Sequence, residues 1–194
     1  DVYKRQFLKH SKIRKIYLAA SLQDHELIKK LIPEEVVLVK GGKRRQDSVR
    51  NALVEIMKEK NTPNSILIHD GARPFCSSSL IDRVLEATQR YGAAIPVLPI
   101  NDTVRRITLE KTKIVDRRGL YSVQTPQGFL TELIYDASSK VKNTEVTDDA
   151  SLLEKTSQRF ASVEGEVHNI KITSPADLEQ ARWILNSLSH VRIK

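Results

Sequence analysis

The sequence predicts an α/β domain built on a largely parallel sheet with helices on its faces. Short apolar runs alternate with amphipathic segments along the chain, which is the pattern of strands joined by helices. The chain has 194 residues, the size of one ordinary domain with its own core. Hydrophobic residues make up 40% and charged residues 29%, a globular composition. No apolar run approaches the roughly 20 residues of a membrane-spanning helix, so no membrane association is expected.

The first half of the chain alternates three predicted strands with three predicted helices. The strands cover residues 15–20, 36–39 and 65–69, and the helices cover residues 24–31, 48–60 and 77–90. In the second helix the apolar residues recur every three or four positions, which places them on one face against the sheet. In the third helix, serines near residue 77 can cap the N-terminus and Gly92 marks the end.

The second half contains a segment that breaks this alternation. After a strand at 93–98, residues from about 100 to 123 are polar and β-branched around a charged turn, which predicts a hairpin arm. The arm has too few apolar residues for a core of its own, so we expect it to lie against another surface, such as a second subunit. Helices at 129–141 and 148–155, strands at 160–163 and 169–172, and a helix beginning after Ser174 complete the chain.

Charge and composition narrow the classes of partner. Lys and Arg total 32 against 24 acidic residues, a net charge of +8 that favours an anionic partner, either nucleic acid or small phosphates. Only 5% of residues are aromatic, and no basic stripe is interleaved with Tyr or Phe, so the stacking platform of a single-strand nucleic-acid binder is missing. The glycines never take the spacing of the dinucleotide fingerprint or the P-loop. The single cysteine, Cys76, fits a reducing compartment, and we expect the cytoplasm.

Candidate binding residues follow the predicted strands, because ligands of doubly wound sheets bind at the carboxyl ends of the strands. After the second strand, residues 41–48 (GGKRRQDS) place two glycines and three cations before a helix. Flexible backbone and a helix N-terminus can hold an anion or a polar base edge. The alternative interpretation is a tight turn whose charges are solvated.

Asp70 and Arg73 follow the third predicted strand. A carboxylate at a strand end beside Gly71 can bind ribose hydroxyls or a metal–nucleotide complex, and Arg73 can pair with a phosphate. The alternative is an Asp-Gly turn with a surface arginine. His69 has neither a cysteine nor a second histidine at metal-ligand spacing, so we interpret it as a core or supporting residue.

Three later segments add polar candidates. Residues 124–127 (QTPQ) form a polar turn after the arm. Lys171 interrupts an apolar segment and either faces solvent or reaches a phosphate. Residues 147–149 (TDD) are typical of a helix N-terminus, where carboxylates are favoured by the dipole. No G-x-S-x-G elbow is present, so Ser-His-Asp catalysis has little support.

Six blocks, in order, resemble the 2-C-methyl-D-erythritol 4-phosphate cytidylyltransferases of the non-mevalonate isoprenoid pathway. They are GGKRRQDSVRNAL, IHDGARPF, the DTV of residues 102–104, RRGLYSVQTPQ, TDDASLLE and NIKITSPADL, within residues 12 to 185. The resemblance implies a Rossmann-like, GT-A-like nucleotidyltransferase fold in a single domain over residues 7–194. The related enzymes that act on ribitol or ribulose 5-phosphate share several blocks and remain the alternative. A non-catalytic nucleotide- or RNA-binding protein is the rival from another class.

The resemblance also implies a reaction and roles for individual residues. Members transfer CMP from CTP to the phosphate of methylerythritol phosphate and release pyrophosphate, with Mg²⁺ bound mainly through the CTP phosphates and no direct protein ligand assigned. It places Gly42 and Ser48 at the cytosine, Asp70 and Gly71 at the ribose, Lys171 at the α-phosphate, Arg73, Thr103 and Arg117 at the acceptor phosphate, and Thr125 and Thr147 along the pocket wall. It implies catalytic roles for Lys171 and Arg117 in a homodimer whose arms complete the sites.

The sequence departs from the family pattern at its start. Members begin with a strand and a glycine-rich loop that carries an Arg and a Lys, and no such block is recognisable here. We therefore expect the first strand and half of the phosphate clamp to be missing, with impaired turnover. Residues 1–6 are polar and show no structural pattern, and we expect them to be a non-native lead-in. Lys43 stands where the family pattern has an acidic residue.

Overall fold

The computed structural model describes residues 2–140, 148–154, 158 and 160–191. Its helices are α1 (Val2–Lys9), α2 (His25–Lys29), α3 (Arg45–Met57), α4 (Ser78–Tyr91), α5 (Thr131–Lys140) and α6 (Pro175–Val191), with short 3₁₀ turns at Leu22–Asp24 and Ala150–Leu153. Its strands are β1 (Ile16–Ala20), β2 (Val36–Lys40), β3 (Ser65–Ile68), β4 (Ala93–Pro99), β5 (Val104–Ile107), β6 (Thr112–Val115), β7 (Tyr121–Val123), β8 (Gln127–Leu130) and β9 (Ala161–Glu164).

The strands form two main hydrogen-bonded units. β1 and β2 pair in parallel, in a register that sets Ile16 opposite Val36. In the five-stranded unit β4 is central, with β9 parallel to it on one edge and β7 and β8 antiparallel to it on the other. β3 pairs antiparallel with β8 and closes that side.

The expectation of a largely parallel sheet is corrected by these pairings, since among the described strands only β1–β2 and β4–β9 pair in parallel. The physical reason lies in β7 and β8, which return antiparallel to β4 after the arm. The sequence pattern assigned residues 129–141 to a helix, and the structure places a strand before α5 instead. β8 is only four residues long and runs directly into a helix, so its apolar residues merge with the helical pattern.

The helix predicted at residues 148–155 is, within the described residues, only the short 3₁₀ turn Ala150–Leu153. Three more segments also differ from expectation. Residues 169–172 are not a strand; Ile172 donates its N–H to the carbonyl of Ala72, and its side chain packs near α6. Helix α3 begins at Arg45, earlier than the predicted residue 48. Helix α1 includes residues 2–6, whose sequence shows no structural pattern.

Two apolar clusters cover the faces of the five-stranded unit. One joins α3 and α5 to the sheet through residues that include Leu53, Phe129 and Ile134. The other joins α4 to the opposite face through residues that include Leu80 and Val84. Helix α4 ends as expected, with the Ser77 hydroxyl accepting the N–H of Leu80 and Gly92 in the left-handed conformation at φ 86°.

The segment predicted as an arm contains the antiparallel hairpin of β5 and β6, in which Val104 lies opposite Val115. Most of its residues are exposed, including the apolar side chains of Ile107, Leu109 and Ile114. β7, at the end of the predicted arm, belongs to the five-stranded unit instead. Among the helices described, none is both long and apolar enough to cross a membrane.

Candidate active site

A cavity of about 370 Å³ lies where the ends of β3 and β7 meet the start of α3 and the segment before α6. It is lined by Arg45, Asp70, Arg73, Val123, Gln124, Thr125, Gln127, Asp148, Ser151, Glu154 and Lys171. Three of these are cations, Arg45, Arg73 and Lys171, and together with Asp70, which lies among them, they form the charged wall of the cavity. The segment of residues 148–154 supplies two carboxylates and a hydroxyl to the lining, from Asp148, Glu154 and Ser151.

Asp70 is the centre of the charged wall. Its Oδ1 accepts a hydrogen bond from Arg45 Nε at 2.9 Å, and its Oδ2 lies 2.9 Å from Lys171 Nζ. Burial alone would raise the pKa of Asp70, but the hydrogen bonds and charges of Lys171 and Arg45 outweigh it and hold that pKa below its ordinary value. Asp70 is therefore a carboxylate at neutral pH with both oxygens engaged.

Arg45 connects Asp70 to a second carboxylate. Its Nη2 donates to Asp149 Oδ2 at 2.7 Å, and the Asp149 side chain is only 1% exposed. Burial raises the pKa of Asp149, and the Arg45 hydrogen bond opposes that rise. Burial also disfavours the charge on Arg45, yet the two carboxylates leave its pKa above the ordinary value. The guanidinium thus remains a cation bridging two anions.

The turn between β7 and β8 holds two walls of the cavity together. The buried side-chain carbonyl of Gln127 accepts the N–H groups of Asp149 and Ala150, each at 3.1 Å, and its amide donates to Asp148 Oδ2 at 3.1 Å. Thr125 Oγ1 accepts the N–H of Asp70 at 3.0 Å. This one turn therefore fixes both the strand end that carries Asp70 and the segment that carries Asp149.

Gln124, in the same turn, fixes the segment that leads to Lys171. Its amide donates to the carbonyl of Glu166 at 2.9 Å and its carbonyl accepts the Glu166 N–H at 3.0 Å. Asn169 donates its side-chain N–H to the carbonyl of Thr125 at 2.8 Å. These hydrogen bonds fix the backbone at Asn169, two residues before Lys171, and so limit where the Lys171 side chain can reach.

Arg73 and His69 lie beside Asp70. Arg73 Nη1 donates to the carbonyl of Asn169 at 2.8 Å, and its Nε lies 4.0 Å from Asp70 Oδ2. The His69 ring contacts the Arg73 carbonyl at 2.9 Å and the Thr125 hydroxyl at 3.1 Å. Burial lowers the pKa of His69, which keeps the ring neutral at pH 7. His69 has the supporting position that the sequence predicted.

The glycine turn before α3 lies close to this cavity but does not line it. Gly42 donates its N–H to Ser48 Oγ at 2.9 Å. A Cβ at Gly42 would lie 2.2 Å from the Cβ of Asp47, so only glycine fits without a shift. Asp47 also accepts the N–H of Arg44 at 3.2 Å and thereby closes the first turn of α3.

The predicted site residues divide into groups. Asp70, Arg73, Thr125 and Lys171 line the cavity together. Gly42 and Ser48 meet in the neighbouring turn, and Gly71 is exposed beside Asp70. Thr103 and Arg117 are exposed and do not line the cavity. Thr147 lies outside the described residues.

Sequence reasoning named the segments that contain Arg45, Gln127 and Asp149 but gave none of these three residues a role in the site. One signal for Arg45 was available, because it lies four residues before Val49 and so heads the apolar stripe of α3. An arginine at that position is directed toward the sheet, whereas its neighbour Arg44 faces solvent and pairs with Asp47. No local pattern marked the pairing of Arg45 with Asp149.

Comparison with known proteins gives one consistent result. The sequence model of the 2-C-methyl-D-erythritol 4-phosphate cytidylyltransferases matches residues 4–187. The 2-C-methyl-D-erythritol 4-phosphate cytidylyltransferase of Bacillus mycoides strain KBAB4 is 36% identical over 198 aligned residues, covering 98% of this chain and 84% of the relative. The enzyme of the same description from Bacillus anthracis is 37% identical with the same two coverages.

Solved structures agree with the sequence relatives. The crystal structure of 2-C-methyl-D-erythritol 4-phosphate cytidylyltransferase from Thermus thermophilus matches with a TM-score of 0.82 and 35% identity, over 95% of this chain and 87% of that one. The 4-diphosphocytidyl-2C-methyl-D-erythritol synthase from Anaerococcus prevotii matches with a TM-score of 0.84 and 28% identity, over 95% and 84%. The α/β nucleotidyltransferase-like fold is therefore shared.

Proposed function

Since the chain belongs to the 2-C-methyl-D-erythritol 4-phosphate cytidylyltransferase (IspD) family, we propose that its cavity transfers CMP from CTP to 2-C-methyl-D-erythritol 4-phosphate. The products are 4-diphosphocytidyl-2-C-methyl-D-erythritol and pyrophosphate. The observation that carries the assignment to this cavity is the convergence of Asp70, Arg73, Thr125 and Lys171 from three separate sequence blocks. Polar, phosphorylated substrates also fit the cytoplasmic location expected from the sequence.

The reaction needs charge neutralisation more than proton transfer. An oxygen of the acceptor phosphate forms a bond to the α-phosphorus of CTP, while the bond from that phosphorus to the pyrophosphate oxygen breaks. The attacking oxygen is already anionic at neutral pH, so no general base is required. Catalysis then rests on positioning and on cations placed where charge develops.

Lys171 is suited to the α-phosphate. An ammonium has three N–H donors, and the bond to Asp70 Oδ2 occupies one of them. The side chain is 43% exposed at the cavity, so the other donors can reach a phosphate while the bond to Asp70 persists. Arg73, beside it, is placed to bind the acceptor phosphate.

The nucleoside end of CTP belongs at the neighbouring turn. We assign Gly42 and Ser48 to the cytosine. Their tight turn lies at the N-terminus of α3, where backbone polar groups can bind the polar edge of a base. Asp70 and Gly71 are assigned to the ribose. Thr125 lines the wall between the ribose and the acceptor.

A second protomer would complete the site. Thr103 and Arg117 are exposed and lie outside the cavity of their own chain, so their proposed contact with the acceptor phosphate requires another copy. The β5–β6 hairpin carries exposed Ile107, Leu109 and Ile114, which an interface would bury. We therefore propose a homodimer formed through this arm.

Mg²⁺ would be carried by the triphosphate. Among the residues that the structure describes, no group of three or more His, Cys, Asp and Glu side chains is placed to hold a metal ion. Asp70 is already paired with Arg45 and Lys171. Since the cavity carboxylate Asp70 is already paired, we propose that phosphate oxygens hold the Mg²⁺ ion. The ion would neutralise part of the phosphate charge there.

Two assays separate this function from its alternatives. We expect the chain to bind CTP in preference to ATP and GTP, and RNA not to compete at physiological salt. We expect pyrophosphate release to be faster with methylerythritol phosphate than with ribitol 5-phosphate, compared as kcat/KM. A preference for ribitol 5-phosphate would assign the chain to the neighbouring activity, and competition by RNA would favour a nucleic-acid-binding protein.

A further inference from the structure

We propose that Arg45 is a positioning residue of this reaction, which orients the carboxylate of Asp70 so that Asp70 can present Lys171 to the phosphates. Asp149 holds Arg45 in turn. The inference deepens the proposed function and rests on it for the role of Lys171. It concerns a residue that contacts neither the nucleotide nor the acceptor in the assignments above.

The first step is the division of the Asp70 carboxylate between two cations. Arg45 Nε binds Oδ1 at 2.9 Å and Lys171 Nζ lies 2.9 Å from Oδ2. The Lys171 side chain is long and partly exposed, so Asp70 is what limits its positions. Asp70 could rotate about its own side-chain bonds if only Lys171 held it, and Arg45 prevents this by engaging the other oxygen.

The second step is the anchoring of Arg45. Its planar guanidinium uses Nε for Asp70 and Nη2 for Asp149, so the two contacts fix the plane of the group. Asp149 is itself fixed, because its side chain is buried and its backbone N–H donates to Gln127. A lysine has the charge of arginine but no second directed edge, so it could reach one carboxylate and release the other.

The third step is the charge left behind when Arg45 is removed. A buried carboxylate that loses its partner destabilises a protein strongly. Arg45→Met alone would leave Asp149 in that state, so a loss of activity could reflect misfolding. The double variant R45M/D149N removes both charges together and keeps similar side-chain volumes, which separates positioning from stability.

The test compares Arg45→Lys and R45M/D149N with the wild-type chain. The matched control is Arg50→Ala, because Arg50 is an exposed arginine on the same helix. We expect both Arg45 variants to lower kcat for pyrophosphate release about 10- to 100-fold, since a small displacement of a catalytic cation has effects of that size. KM for CTP should change only a few-fold, and Arg50→Ala should match the wild type.

Two further readouts distinguish positioning from a structural role. Carbon-13 NMR titration should show the pKa of Asp70 rising in R45M/D149N, because burial remains and one of its two cations is gone. Adding R45M/D149N to Lys171→Ala should lower kcat little beyond Lys171→Ala alone, since Arg45 acts through Lys171. Wild-type kcat in Arg45→Lys, additive losses in this cycle, or an unchanged Asp70 titration would each overturn the inference.

Failure of the proposed function gives a different result. In that case the wild-type chain shows no preference for CTP over ATP and GTP, and it releases no pyrophosphate with CTP and either polyol phosphate. The Asp70 titration can still be measured in that case, and an unchanged Asp70 pKa in R45M/D149N then refutes the orienting role.

Discussion

Buried amide side chains, as much as charges, hold the walls of the cavity in place. Gln127 is 1% exposed, and its two ends bind different groups of the 148–154 segment. The carbonyl accepts two backbone N–H groups and the amide donates to a carboxylate. This complementarity makes glutamine, and not the isosteric glutamate, the residue that fits.

Gln127→Glu should therefore destabilise the protein in a pH-dependent way. The new carboxyl is buried and faces Asp148, so its pKa in the folded state should lie above its unfolded value of about 4.3. A raised folded-state pKa means that the variant is close to wild type at pH 4 and loses stability as pH rises through that pKa. At pH 7.5 we expect a free energy of unfolding about 2–3 kcal/mol below wild type, measured by urea denaturation.

The control for this prediction is Gln23→Glu, because Gln23 is exposed and the new carboxyl would not be buried. It should unfold like the wild type at both pH values. A Gln127→Glu variant whose deficit is the same at pH 4 and pH 7.5 would contradict the electrostatic explanation.

At the same scale, the sequence predicted some site residues and could not predict others. Asp70 and Lys171 were found because each interrupts or follows an apolar run. The pairing of Arg45 with Asp149 joins residues 104 positions apart, and only the folded chain brings them together. The sequence could mark Arg45 as inward-facing but could not identify its partner.

Among the elements, the turn before α3 leaves no room for a side chain at Gly42. A Cβ added at Gly42 would lie 2.8 Å from the backbone carbonyl carbon of Asp47. Backbone atoms cannot give way as a flexible side chain can. The start of α3, and with it Arg45, therefore depends on glycine at this position.

Gly42→Ala should lower the melting temperature and weaken CTP binding. Displacing the turn breaks the Gly42 to Ser48 hydrogen bond and strains the first turn of α3, which should destabilise the protein by about 1–3 kcal/mol. For a chain of this length that corresponds to a fall of roughly 2–12 °C in Tm. Scanning calorimetry and CTP titration measure the two effects.

Gly71→Ala is the matched variant for the Tm measurement. A Cβ at Gly71 meets nothing within 4 Å among the described atoms, so Tm should stay near the wild-type value. Equal melting temperatures for Gly42→Ala and the wild type would show that the turn can relax.

Helices and strands were predicted correctly where the sequence periodicity was strong. The prediction failed where the pairing of a short segment with its neighbours determined its structure. The helix at α4 was predicted with both caps, because Ser77 and Gly92 are chemical signals in the sequence itself. β8 was absorbed into a helix, and residues 169–172 were read as a strand although their alternating apolar side chains face α6 without a strand partner. Local patterns do not show which neighbour a short apolar run will meet.

For the whole molecule, the proposed homodimer makes a prediction about mixed subunits. Arg117→Ala and Lys171→Ala should each be inactive alone. In a heterodimer of the two, one composite site has both residues intact, so random pairing should restore about a quarter of wild-type activity. Co-expression with two affinity tags and pyrophosphate release measures this.

Arg73→Ala combined with Lys171→Ala is the control pair. Both residues line the cavity of one chain, so no site in that heterodimer is complete and activity should not return. Recovery in both mixtures, or in neither, would count against arms that exchange Arg117 between protomers.

The two hydrogen-bonded units also differ in how firmly their strands are enclosed. Residues 94 and 97 of β4 have strand partners on both sides, whereas β1 and β2, within the described part of the chain, pair only with each other. Backbone amides exchange with solvent deuterium when their bonds open, and strands with one partner open locally without global unfolding. Deuterium should therefore enter β1 and β2 well before β4. The turn at Gly42 follows β2, so the proposed nucleobase site would be attached to the β1–β2 unit, which opens locally. The proposed phosphate site would be attached to the five-stranded unit, which stays closed.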